Sequence, residues 1–160
     1  FLLETQAHDF VLFVDQFYLS NFLLMLFYKV LKDQNAKPKG LAFIQAITIE
    51  DFRYKKALNT VDYIKRYIFP GSFIPSISVL TQTASESGLR LKHLNDIGLS
   101  YAQTLHHWRA RFLAAREQVL ALGFDENFIR MWDFYLCYCE GGFKEGVISN
   151  VHLLFESTSY

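Results

Sequence analysis

Charge of one sign is what this chain most plainly lacks. Its 16 Lys and Arg are matched by 16 Asp and Glu, leaving a formal net charge of zero. With no basic excess or cluster, neither a nucleic-acid partner nor a strong electrostatic membrane patch is expected. Cysteine is scarce as well. Cys137 and Cys139 are the only two and stand two residues apart; side chains at that spacing on a helix do not face each other. The pair is therefore expected to be reduced thiols of a cytosolic protein rather than a disulfide or a metal clip. Five histidines (His8, His93, His106, His107, His152) show no H-x-x-x-H spacing, which excludes a helical zinc pair, and no metal site is expected. His106 and His107 read as exposed helix residues. No G-x-S-x-G and no P-loop is present, and no G-x-G follows a first strand. A nucleophile elbow and a glycine-rich nucleotide cradle are both missing.

Apolar residues are abundant, at 51% of the chain with 17% aromatic. That excludes a disordered chain, and 160 residues suffice for one domain, or part of one, with a real core. The chain begins at Phe1 rather than Met, with no basic region ahead of an apolar run. A fragment, or a truncated or frame-disturbed product, without a secretory signal is the expectation.

Phe10 to Val30 is nearly as long as a membrane span, but Asp15, Gln16, Ser20, Asn21 and Lys29 interrupt it. A helix packed on a sheet is the favoured reading, with a membrane anchor as the alternative. A polar loop, Lys32 to Gly40, follows. Leu41 to Ile49 reads as a buried strand with Gln45 as its one large polar residue, ended by Glu50 and Asp51. A buried amide needs partners, so Gln45 either supports a loop or faces a site. A helix is expected over Asn59 to Tyr67. Tyr67-Ile68-Phe69-Pro70-Gly71-Ser72-Phe73-Ile74-Pro75-Ser76 then pins large apolar side chains on a non-repetitive path, because proline fixes φ and glycine takes conformations other residues avoid. It is either a simple inter-helix turn or a pocket wall.

Ser76 to Ser87 is expected to be a helix capped by Ser76 and stopped at Gly88. Leu89 to Ile97 alternates and predicts a strand with one wet face. Ser100 to Leu122 predicts one long helix with Tyr101, Leu105, Trp108, Phe112, Ala115, Val119 and Leu122 on a single apolar stripe. Asp125 caps a further helix, Glu126 to Cys139, which is expected to bury Phe128, Trp132, Tyr135 and Cys139 and to break at Gly141-Gly142. Val147 to Phe155 predicts a last strand. This order of elements suits the end of an α/β sheet, with a helical insertion too large for an ordinary connection. Tyr101 opens the stripe, and a buried phenol wants a hydrogen-bond partner, for which Gln45 is a candidate. Glu140 is either a carboxylate near the same region or a surface or capping residue.

Four blocks resemble the cyclopropane-fatty-acyl-phospholipid synthase family, which includes the mycolic acid cyclopropane synthases. They are Phe43-Ile44-Gln45-Ala46-Ile47-Thr48-Ile49; Tyr67 to Gly71 with Pro75-Ser76; Gly98-Leu99-Ser100-Tyr101-Ala102-Gln103-Thr104-Leu105-His106-His107-Trp108; and Arg130-Met131-Trp132-Asp133-Phe134-Tyr135-Leu136-Cys137-Tyr138-Cys139-Glu140-Gly141-Gly142-Phe143. The resemblance covers residues 37–156; residues 1–36 read as a divergent apolar helical segment and 157–160 as a tail.

The resemblance implies the C-terminal part of a class I (Rossmann-like) S-adenosylmethionine methyltransferase: an α/β fold contributing three strands, the fifth to seventh, with a large helical insertion. The seventh would lie antiparallel between the other two. Family members transfer a methyl from S-adenosylmethionine to the double bond of an unsaturated acyl chain, and a bound bicarbonate takes the departing proton. By resemblance, Gln45, the backbone at Ile47, and Tyr101 match the bicarbonate-binding positions, with Tyr101 in the catalytic role. Phe69, Ile74 and Leu105 match acyl-pocket positions. Gln45 stands where the family has histidine, and an amide can hydrogen-bond an anion but cannot titrate like imidazole. The S-adenosylmethionine-binding half is not in this chain, nor are the glutamate and cysteine that complete the bicarbonate site. The implied partner is an unsaturated acyl lipid at the inner membrane surface, the implied location cytoplasmic and peripheral to that surface. A homo-oligomer through exposed sheet would also fit. The alternative reading is a non-catalytic acyl-lipid or partner-binding module.

Overall fold

The structure, a computed structural model, describes residues 2–4, 10–12 and 40–158. It divides into two compact units: residues 1–96 with 150–160, and residues 97–149.

The first unit is built on a five-stranded sheet of order β1-β2-β3-β5-β4. β1 (Leu2–Glu4) pairs antiparallel with β2 (Phe10–Leu12), and β2 pairs parallel with β3 (Leu41–Ile49). The helix expected over Phe10 to Val30 therefore gives way to strand at Phe10–Leu12, and the remainder of that segment lies outside the described residues. β5 (Ile148–Ser157) pairs antiparallel with β4 (Leu89–Asp96). Two contacts set its direction against β3: Ser157 N–H donates to Gly40 O at 2.8 Å, and His152 meets Gln45. As one chain advances the other retreats, so β5 is antiparallel to both neighbours.

Alternation explains which residues make the core. Ala42, Ile44, Ala46 and Thr48 of β3 are buried, as are Val151, Leu153 and Phe155 of β5. They share one face with Leu80 and Ala84 of α2 (Ile77–Glu86) and with Leu89. The other face carries Phe43, Gln45, Ile47, His152, Leu154 and Glu156, all half-buried. β4 is the outer strand and wetter than its alternation suggests, with a register shift between Leu91 and His93. Its Arg90 and Lys92 reach Glu156 at 2.5 and 3.5 Å; charge along an outer strand discourages further pairing.

Between β3 and α2 the chain departs from the helix expected over Asn59 to Tyr67. The helix is α1 (Asp51–Leu58), not Asn59 to Tyr67. Only Tyr54 of α1 is buried, so no apolar stripe announced it. Its surviving signal was Asp51 in the first turn with Lys55 and Lys56 in the last, the charge order a helix dipole favours. Ile64–Ile68 is a π-helical turn, with Phe69 N–H reaching Ile64 O at 2.8 Å. The helix α2 matches its expectation: Ser76 Oγ accepts from Val79 N–H at 3.4 Å. Ser76 is almost fully buried and also hydrogen-bonds the Asp51 carboxylate, which holds Asp51 below its usual range. Ser76→Ala is expected to cost about 0.5–2 kcal/mol in urea unfolding, the range for a lost N-cap.

The second unit contains α3 (Gly98–Ala114), α4 (Arg116–Ala121) and α5 (Glu126–Lys144). The single helix expected from Ser100 to Leu122 breaks at Ala115, whose N–H is shared between Arg111 O and Phe112 O. The stripe is broken too: Leu105 is buried, but Trp108 and Leu122 are 45% and 77% exposed. In α5 the buried residues are Ile129, Leu136, Glu140 and Phe143 rather than Phe128, Trp132, Tyr135 and Cys139. Asp125 caps the helix as expected, its carboxylate accepting from Phe128 N–H at 2.8 Å. The helix does not stop at Gly141-Gly142. A Cβ at Gly142 would come within 3.1 Å of Ile148 Cγ1, so that glycine serves close packing inside the helix.

Candidate functional site

β3 delivers two of the expected site residues to one face of the sheet. Gln45 and Ile47 stand two apart and so share the half-covered side. Gln45 Oε1 lies 3.2 Å from His152 Nε2 on the adjacent strand, and the His152 ring lies 5.0 Å from that of Phe43. An amide oxygen carries no hydrogen, so the imidazole is the donor. Asn150 is two residues before His152 and points to the same face. It is 1% exposed, and neither its amide oxygen nor its NH2 has a partner among the described residues.

The backbone at Ile47 follows from ladder phase. Ser157 N–H donates to Gly40 O, so even-numbered residues of β3 exchange bonds with β5 and odd-numbered ones point away from it. Ile49 N–H does so, reaching Pro75 O at 3.0 Å. The Ile47 N–H is directed to that same outer side of β3.

The Pro75 contact also ties the Tyr67 to Ser76 loop to the carboxyl end of β3. Phe69-Pro70-Gly71-Ser72 is a β-turn closed by Ser72 N–H on Phe69 O at 3.1 Å, and Gly71 has φ of 81°. Proline second and a positive-φ glycine third are what a type II turn demands. Phe69 and Ile74 are half-buried in this loop. Gly71, Ser72 and Phe73 line a groove of about 420 Å³ with Leu58, Thr60 and Lys65. Phe69 and Ile74 are not in that lining.

In the helical unit, Tyr101 sits in the first turn of α3 and is half-buried. Its ring packs at 5.0 Å on Phe143 and edge-on at 6.1 Å against Trp108. Leu105, one turn on, is 3% exposed. Two polar links join α3 to α5. Arg109 grips Asp133 with both prongs, at 2.6 and 3.4 Å. Glu140 lies within α5, buried, with Lys144 Nζ at 2.5 Å and His106 Nδ1 at 3.3 Å. His106 and His107 are exposed, as expected. The Lys144 ammonium, with a smaller contribution from His106, holds the Glu140 carboxyl below its ordinary 4.5 despite the opposing effect of burial. A lowered carboxylate pKa stabilises the fold fully above the unfolded value and loses that contribution as pH falls through the folded one. Urea midpoints should therefore drop on acidification below about pH 4.5. Glu140→Gln should flatten that part of the profile.

The expected site residues thus fall into two sets. Gln45, Ile47, Phe69 and Ile74 belong to the sheet unit, Tyr101 and Leu105 to the helical unit. His152 and Asn150 escaped sequence reasoning. The Gln45 contact spans 107 residues, and the spacing of the histidines bears only on zinc. The available signal was alternation: Val151, Leu153 and Phe155 inward puts Asn150 and His152 on the opposite face. Both cysteines are free thiols. No helix among the described residues is long and apolar enough to cross a membrane.

The strand order and the antiparallel β5 are those of a class I methyltransferase sheet, and comparison with solved structures agrees. A mycolic acid cyclopropane synthase complexed with SAH and CTAB superposes with a TM-score of 0.81 at 22% identity, covering 97% of this chain and 57% of that one. A cyclopropane synthase from Mycobacterium tuberculosis gives 0.81 at 18% identity, over 93% of this chain and 55% of that one. Among curated proteins, the tuberculostearic acid methyltransferase of Mycobacterium tuberculosis is 40% identical over 117 residues, 72% of this chain and 27% of that protein. The cyclopropane-fatty-acyl-phospholipid synthase of Escherichia coli K12 is 34% identical over 73% of this chain and 29% of its own length. The chain thus spans under a third of the length of these curated relatives. The model of the mycolic acid cyclopropane synthetase family matches residues 12–153, reaching upstream of the motif blocks as well as across them, and the chain belongs to that family.

Proposed function

We propose that this chain is the C-terminal, acyl-lipid-binding part of an S-adenosylmethionine-dependent methyltransferase acting on the double bond of an unsaturated acyl chain. The family match over residues 12–153 carries the reading. In this reaction class an alkene carbon takes the electrophilic methyl, the adjacent carbon becomes a cation, and loss of a proton from the new methyl closes a cyclopropane.

No glycine-rich strand-to-helix turn is present among the described residues, so they do not fit a nucleoside cradle. A small oxyanion fits better. The Gln45 amide has its oxygen 3.2 Å from His152 Nε2, which leaves its NH2 as a donor, and Asn150 carries an unpartnered buried amide on the same face. Bicarbonate, when bound, supplies a base for the departing proton. Gln45 and the Ile47 N–H of the sheet unit are proposed to hold it, and Tyr101 of the helical unit is proposed to have the catalytic hydroxyl. Phe69 and Ile74 in the sheet unit, and Leu105 in the helical unit, are each proposed as acyl-chain contacts, since apolar side chains keep water from a cation.

The test is direct. Full-length protein is incubated with methyl-labelled S-adenosylmethionine and vesicles of unsaturated phospholipid, and the acyl chains are analysed by mass. A gain of one CH2 in unsaturated chains is expected. Lipid carried through purification with no transfer to any acyl chain would favour a non-catalytic lipid-binding module instead.

A further inference from the structure

We infer that Asp133 and Glu140 are positioning residues: paired across the α3–α5 seam with Arg109 and His106, they fix the register of α5 that sets the Phe143 ring against Tyr101. The inference rests on the functional reading above for the role of Tyr101 and goes beyond it in the residues it names. All of them lie in the helical unit.

The sequence of α5 offers two stripes one position apart. Phe128, Trp132, Tyr135 and Cys139 form one, and it carries no charge. Ile129, Asp133, Leu136, Glu140 and Phe143 form the other, and it contains two carboxylates. Burial of apolar surface alone favours the first. The helix nonetheless buries the second: Ile129, Leu136, Glu140 and Phe143 are its buried residues. The two stripes lie about 100° apart around the helix axis, so the choice between them decides which side chains meet α3.

Pairing reverses that preference. Arg109 holds Asp133 at 2.6 and 3.4 Å, and His106 Nδ1 lies 3.3 Å from Glu140, which Lys144 Nζ meets from one turn further along α5 at 2.5 Å. Arg109 stands on the same stripe of α3 as the buried Ala102 and Leu105. The links form one antiparallel series along the seam: Arg109 with Asp133, His106 with Glu140, and Tyr101 with Phe143 by ring packing at 5.0 Å. Rotating α5 to bury its other stripe, or sliding it by one turn of about 5.4 Å, breaks both polar links and withdraws Phe143 from Tyr101. A carboxylate left unpaired in a helix seam is costly, whereas one apolar contact readily replaces another. A polar residue in a coiled-coil seam fixes register for the same reason. Asp133 and Glu140 thus act on Tyr101 through Phe143.

The test uses the full-length protein with labelled tyrosine and phenylalanine side chains. It reads the nuclear Overhauser contact between the Tyr101 and Phe143 rings beside the kinetics of methyl transfer to acyl lipid. The wild type should show the contact. Asp133→Leu combined with Glu140→Leu makes the buried stripe wholly apolar. That variant should stay helical, lose the ring contact, and fall about 10²-fold in kcat, the scale of an ångström-sized misplacement of a catalytic group. Its KM should stay within about threefold of wild type. A charge swap separates register from folding. Asp133→Arg alone should behave like the double leucine variant; adding Arg109→Asp remakes the link in reverse and should return the ring contact, and kcat to within about threefold. A double leucine variant that keeps the ring contact overturns the inference, whatever its rate. If that variant fails to fold, the swap decides, and a swapped pair no better than Asp133→Arg alone overturns the inference. A lost contact at unchanged rate leaves the register inference standing and overturns the catalytic role of Tyr101. A wild type that shows the contact but transfers no methyl group overturns the functional reading alone.

Discussion

Phe155→Ala is expected to lose about 3–5 kcal/mol of folding stability, the range for truncating a fully buried aromatic side chain. Phe155 is 0% exposed and lies on β5, between β3 and β4. Its ring belongs to the cluster formed with Ile44, Leu80, Val151 and Leu153, each also fully buried. The cavity would therefore open at the centre of the sheet unit, where neighbours on both sides are fixed by strand pairing and cannot collapse into it. Against a total of roughly 5–15 kcal/mol for a domain, such a loss is decisive. At an m-value of about 1–3 kcal/mol/M, the urea midpoint should fall by at least ~1 M. Phe134→Ala is the control. That ring is 51% exposed on α5 and stacks on Tyr138 with centroids 6.0 Å apart, so its removal should stay within about 0.5–1 kcal/mol. Equal losses for the two variants would show that the packing of β5 is not what holds the sheet unit together.

The strands were the most legible part of the fold. Leu41 to Ile49 and the last strand announce themselves by composition and alternation, and the structure places both within two residues of expectation. What alternation could not convey is what crosses between strands. Gln45 was recognised as an odd polar residue in a buried strand, yet the histidine that binds it comes from a segment 107 residues away. The helices were less legible for two different reasons. The helix α1 has one buried residue and no stripe, so a periodicity search passes over it. The helix α5 has so many aromatic residues that two stripes one position apart both look apolar. Packing selected the one containing Ile129, Leu136 and Phe143 and left Phe134 and Tyr138 in water. Glycine pairs usually end helices, but at Gly141-Gly142 the nearness of Ile148 favours small residues within the helix. The site is legible only as a set of motif positions. Which groups face which is set by the ladder phase of β3 and β5, and no single segment contains that information.

Tyr101→Phe is expected to reduce methyl transfer by about 10²-fold or more, the scale on which one aligned proton-handling or charge-stabilising group contributes. The variant separates function from folding cleanly. The Tyr101 ring packs on Phe143 and Trp108 through its faces and edge, and phenylalanine keeps both contacts. Only the hydroxyl goes, so stability should change by no more than about 1 kcal/mol, one net hydrogen bond. Acyl-lipid binding should be nearly unchanged, because a group proposed to act on the departing proton contributes mainly in the transition state. The signature is a fall in kcat with KM held within about threefold, less than the effect of one neutral hydrogen bond on binding. Leu105→Ala supplies the contrast. Leu105 is 3% exposed one turn along α3, and its removal should weaken lipid binding and stability together. If Tyr101→Phe instead raises KM in proportion to its loss of rate, the hydroxyl belongs to the lipid-binding wall and the proposed catalytic role is wrong.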